Sequence, residues 1–82
     1  MSIDANTTRS VHLAANEVTQ IDNVTMIENH SGYTVWYDDV PLSADNPGMR
    51  IEPSGTRVLS RPKTIYVKSN IGGTVYVRPD MP

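Results

Sequence analysis

Between Thr64 and Arg78 apolar and polar side chains follow a period of two. The run T-I-Y-V-K-S leads into N-I-G-G and then T-V-Y-V-R. β-branched and aromatic residues in this rhythm fit a pleated surface buried on one side. Gly72 and Gly73 supply the positive φ of a tight turn. The pattern predicts a closing β-hairpin. A loop over Asn70–Gly72 sets Val67 opposite Val75, Ile65 opposite Val77, and Tyr66 opposite Tyr76 on the other face. A tighter turn at Ile71 and Gly72 would pair Val67 with Tyr76 and mix the faces. The patterning favours the first register, because a one-residue slip inverts which face is buried.

The same rhythm recurs upstream in shorter pieces. Val11 and Leu13 alternate with Ser10 and His12, and A-A-N-E reads as a turn. Val18–Ile21 and Val24–Asn29 read as two strands separated at Asp22 and Asn23. After a turn at His30–Gly32, Tyr33–Asp38 predicts a strand with Val35 and Tyr37 on one face and Trp36 on the other. The pattern then stops. Asp38–Gly48 holds two prolines, a glycine and three aspartates, the composition of a long loop, and such loops tend to carry function. Met49–Glu52 and Thr56–Ser60 resume as strands around Pro53–Gly55, and Arg61–Lys63 connects to the hairpin. Pro79 and Pro82 end the ladder.

Helical periodicity persists nowhere for more than a turn. Short strands with turn signals every eight to twelve residues predict an all-β fold, an antiparallel β-sandwich or jelly-roll-like barrel of about six to eight strands. Residues 1–7 read as a polar arm and 8–82 as one domain.

Composition narrows the function. A chain of 82 residues buries only about 60–65% of its unfolded surface, so its core is thin. It has no cysteine and no phenylalanine. Disulfides and thiolate metal sites are therefore excluded, and association with other chains is the expected support. The net charge of −2 comes from scattered ions. There is no basic stripe to grip phosphates, so no nucleic-acid partner is expected. No apolar run reaches the roughly 20 residues of a membrane span. The N-terminal stretch lacks the basic and apolar regions of a signal peptide.

The candidate chemistry is sparse. His12 and His30 are too few for a zinc site and have no serine or carboxylate at motif spacing. Asp38, Asp39 and Asp45 crowd the long loop, but they match no calcium-loop pattern and suit turn chemistry better. They remain candidate contact residues. Arg57, Arg61 and Lys63 form a small basic cluster that could meet an acidic partner or protect a strand edge. Ser31-Gly32 and Ser54-Gly55 are turn dipeptides and not nucleophile elbows. Neither catalysis, metal nor cofactor is expected. Trp36, Tyr66 and Tyr76 fall on the face away from the aliphatics. They are candidates for an aromatic interface stripe, with a second core layer, single surface positions or carbohydrate binding as alternatives.

Three stretches suggest a relationship. M-I-E-N-H-S-G-Y-T-V-W-Y (26–37), G-M-R-I-E-P-S-G-T (48–56) and I-Y-V-K-S-N-I-G-G-T-V-Y-V (65–77) resemble turn-and-strand units of small β-sandwich virion proteins of tailed bacteriophages. That group includes capsid decoration, or cement, proteins and accessory head or tail components. Trp36-Tyr37 is bulkier than the pattern's usual Y-V. The resemblance implies a non-enzymatic virion protein, assembled in the host cytoplasm, that reinforces the major capsid protein shell, often as a trimer. A tail, neck or host-surface-binding module and a small regulatory or inhibitor domain are the alternatives.

Overall fold

The computed structural model describes residues 8–78; the arm at 1–7 and both closing prolines lie outside them. The fold is all-β. Six strands run β1 Arg9–Leu13, β2 Val18–Asn29, β3 Val35–Asp38, β4 Met49–Ile51, β5 Thr56–Ser69 and β6 Gly73–Arg78. They form one antiparallel sheet in the order β1-β6-β2-β5-β3-β4.

Two predicted breaks are bends within long strands. β2 continues through Asp22 and Asn23, and Asn23 takes φ 61°. β5 continues through Arg61–Lys63. Between the pairs Val24↔Lys63 and Met26↔Val58, β5 advances further than β2, so Leu59–Pro62 form an irregular bulge. Pro62 is tolerated there because a bulge asks for no ladder N–H.

These bends divide the sheet into two halves that share β2 and β5. In one, β1, β6, the end of β2 and the start of β5 lie side by side. In the other, the start of β2 and the end of β5 are joined by β3 and β4. A flat six-stranded sheet without helices would expose both faces. Here Leu13 of β1 and Ile51 of β4, from opposite sheet edges, are both fully buried in one core cluster with Ile27, Ile65, Val67 and Val77. The sheet must therefore fold over its own inner face, with bulged strands at the corner.

The terminal hairpin does not form. β6 pairs with β1 and β2, not with β5. Both edges of the end of β5 are already occupied, since Lys68 pairs with Val18 on one side and Trp36 on the other. The glycine turn therefore carries the chain across to the other half. Ser69 Oγ holds it, accepting from Ile71 N at 3.3 Å and Gly72 N at 3.0 Å, while Gly72 and Gly73 take φ 95° and 137°. Val67 is not beside Val75, nor Ile65 beside Val77, and Tyr66 is not opposite Tyr76. The four aliphatics are nevertheless all buried in the common core.

One buried polar residue ties the halves together. Asn29 is fully buried at the end of β2. Its Nδ2 donates to the carbonyls of Tyr33 at 2.7 Å and Ile51 at 2.9 Å. Its Oδ1 accepts from Ser31 N at 2.9 Å and Ser31 Oγ at 2.7 Å. Its backbone N–H donates to Gly55 O and its carbonyl accepts from Ser54 N. A buried amide satisfied on every side fixes one arrangement of the elements around it.

Candidate functional site

The outer face of each half is crossed by a row of side chains. In the β3 and β4 half the row is Val18, Lys68, Trp36 and Arg50, taken in register across β2, β5, β3 and β4. In the other half it is Ser10, Tyr76, Glu28 and Thr56 across β1, β6, β2 and β5. Trp36 and Tyr66 are thus diagonal neighbours on adjacent strands. Tyr76 lies in the other half, so the predicted three-membered aromatic stripe does not assemble.

The two rows end differently. Tyr76, half-buried like Trp36, has its ring 4.0 Å from that of His30 at 39°. His30 Nε2 in turn lies 2.9 Å from Glu28 Oε1. Trp36 instead lines a groove of about 420 Å³, within the range of small-ligand and side-chain pockets. Its apolar walls are Val18 from β2 and Leu42, Ala44 and Pro47 from the 39–48 loop. Ser43, Asn70 and Lys68 supply the polar part.

Local chemistry folds the loop over Trp36. Asp38 Oδ1 accepts the Asp39 N–H at 2.7 Å, and Asp39 Oδ2 pairs with Lys63 Nζ at 3.0 Å, which anchors the loop's start to β5. Ser43 and Asn46 exchange backbone hydrogen bonds at 3.0 and 3.1 Å, and Asn46 Nδ2 reaches Pro41 O at 3.3 Å. At the loop's end Gly48 takes φ 86°, and a Cβ there would lie 2.7 Å from both Leu42 Cδ2 and Tyr37 O. Only glycine lets the returning chain pass this close to Leu42 and to β3.

Two of the three loop aspartates are therefore engaged in turn and tether. The hydrogen bond from Lys63 holds the Asp39 carboxyl below its ordinary pKa. Asp45 is exposed and lines no part of the groove. The basic cluster disperses. Arg57 pairs with Glu52 at 3.2 Å and donates to Arg50 O at 2.9 Å. Lys63 serves Asp39, and Arg61 borders a second hollow of about 320 Å³ with Leu59 and Pro62. Among the described residues, no group of three or more His, Cys, Asp or Glu could hold a metal ion. No helix of the described residues is long and apolar enough to cross a membrane.

Sequence reasoning set Trp36 on the outer face but did not name the residues beside it. Lys68 shares the outward parity of Tyr66 in β5, which is a usable signal. Its neighbour Trp36 is revealed only by the β3–β5 pairing, and Leu42 and Pro47 only by the loop's path. No known protein family, curated protein or solved structure matches the chain.

Proposed function

We propose that this protein is a non-enzymatic structural protein of a viral particle, a capsid decoration protein that attaches to the shell through the Trp36 face. The observation that carries the association reading is the groove itself. The chain's sole tryptophan is half-buried on the outer face and opens onto apolar loop residues from its own chain. Tryptophan in a preformed apolar recess is the kind of anchor that concentrates binding energy at protein interfaces. The thin core adds support, since a domain of this size gains stability from association. The turn-and-strand resemblance to phage virion proteins supplies the viral setting, and the major capsid protein is the partner it implies. Homo-oligomers, with a trimer as the first candidate, belong to the same reading.

Light scattering on the purified chain and co-sedimentation with shells of the cognate major capsid protein test this proposal. Saturable binding to shells that Trp36→Ala weakens by about 2 kcal/mol or more is the expected result. Absence of wild-type binding to head shells, with binding to tails or host cells instead, would move the protein to the accessory or adhesin class.

A further inference from the structure

We propose that the groove receives an acidic peptide segment of a partner protein, which lays an apolar side chain on Trp36 and places a carboxylate against the Lys68 ammonium. This rests on the reading of the Trp36 face as an association surface and names what that surface recognises.

The argument is one of charge and of polar satisfaction. The whole chain is net negative, at −2, yet the single charged side chain lining the groove is Lys68. Lys63 and Arg57 have carboxylate partners in Asp39 and Glu52. Among the described residues Lys68 has none, although it is half-buried. Arg50 flanks Trp36 on the far side of the row, but its charge already acts on Glu52. Lys68 is thus the cation left to the groove. An ammonium without a carboxylate of its own chain, on a stem that lies along an apolar wall, is free to meet an incoming carboxylate.

The walls choose peptide over sugar. Val18, Leu42, Ala44 and Pro47 present carbon, and apart from Lys68 only Ser43 and Asn70 offer polar side chains. A sugar would bring several hydroxyls that these walls leave without partners, which is costly. An aliphatic or aromatic side chain fills the same space without that cost. Ser43 and Asn70 then remain for the peptide backbone.

The test is a selection from a random heptapeptide display library on the folded wild-type chain, counter-selected on Trp36→Ala. Recovered peptides should be enriched in Asp or Glu beside Leu, Ile, Phe or Trp. A synthetic copy of the dominant peptide should change the emission of Trp36, the only tryptophan, in a saturable titration. Lys68→Met keeps the aliphatic stem and removes the charge. It should raise the Kd of that peptide by about five- to tenfold and flatten its dependence on salt. Circular dichroism of both variants confirms that they fold.

Enriched peptides without acidic residues, or equal affinity for Lys68→Met, would overturn the acidic specificity while leaving the Trp36 association face intact. Recovery of no Trp36-dependent peptide, with shell binding that still requires Trp36, would also overturn the inference. If Trp36→Ala leaves shell binding unchanged, the association reading itself fails. Binding of acidic glycans in place of any peptide refutes the inference and supports a host-surface role.

Discussion

Trp36 and Tyr76 hold matching outward positions on the two halves of the sheet, both half-buried, and what lies beside each differs. Tyr76 meets the ring of His30, which Glu28 contacts, so a nearby turn of the same molecule packs against it. Trp36 faces a groove of about 420 Å³ walled by Val18 and the 39–48 loop. A groove beside an indole offers apolar surface that can be buried when another molecule arrives, and this conversion of unburied area is the basis of an anchor residue. Aromatic character alone therefore does not mark an interface; the space left beside the ring does.

The most severe way to break the comparison is to remove the inner face on which both sites stand. Val67→Asp should unfold the chain, because an unpaired carboxylate would enter a fully buried position at a cost of about 4 kcal/mol or more. That is close to the whole stability of a domain this small. Loss of far-UV strand signal and of the cooperative thermal transition is the readout. Asn29→Ala should cost about 3 kcal/mol, since it leaves the buried carbonyl of Ile51 without its donor and frees the turn that carries His30. Urea denaturation measures it. Hydrogen exchange should then show the Tyr76 end loosened more than the Trp36 end.

The sharpest discriminator is Trp36→Ala. It should weaken shell binding by about 2 kcal/mol or more and lower monomer stability by less than that. A stability loss of about 3–5 kcal/mol would instead mean that Trp36 acts as core. The matching substitution His30→Ala should cost about 1 kcal/mol of stability through the lost ring contact with Tyr76 and leave shell binding unchanged. A large affinity loss here would erase the distinction between the two sites.

The smallest effect is that of acid. Hydrogen bonds from Gln20 and Thr64 hold the Asp22 carboxyl below its ordinary pKa, and Lys63 does the same for Asp39. Glu52 is lowered by its own backbone amide and then by Arg57. A carboxylate whose folded pKa is depressed stabilises the fold above its unfolded pKa. That stabilisation is lost as pH falls through the folded value. Stability should therefore be flat down to about pH 5 and decline below it. Because Asp39 tethers the groove loop through Lys63, the fluorescence of Trp36 should shift over the same acid range, and Asp39→Asn should abolish that shift.

Much of this architecture was legible residue by residue. The alternation in Ile65–Val67 and Val75–Val77 correctly separated buried aliphatics from outward tyrosines, because parity along a strand is a local property. Val35 and Tyr37 were assigned inward, and Trp36 outward, for the same reason. The bends at Asn23 and Pro62 have the local look of strand ends. A bulge and a turn carry the same local signature of Asn, Asp or Pro, and only partner strands continuing alongside distinguish them. The hairpin was misjudged because a glycine turn reverses direction without saying which edge is free to pair. The candidate site divided along the same line. Trp36 could be found from its strand, but Lys68, Leu42 and Pro47 could not be joined to it.

The period of two along the chain carries the all-β class and the inward side of Ile65, Val67, Val75 and Val77, since both follow from burial of apolar surface on one face of a strand. It took the folded sheet to show that β6 crosses to the other half, that Tyr76 meets His30 while Trp36 faces a groove, and that Lys68 lines that groove beside Trp36. Those are relations between residues far apart in the chain. They are set by which sheet edges were already occupied and by how the long loop returns past Gly48, quantities that no local pattern encodes.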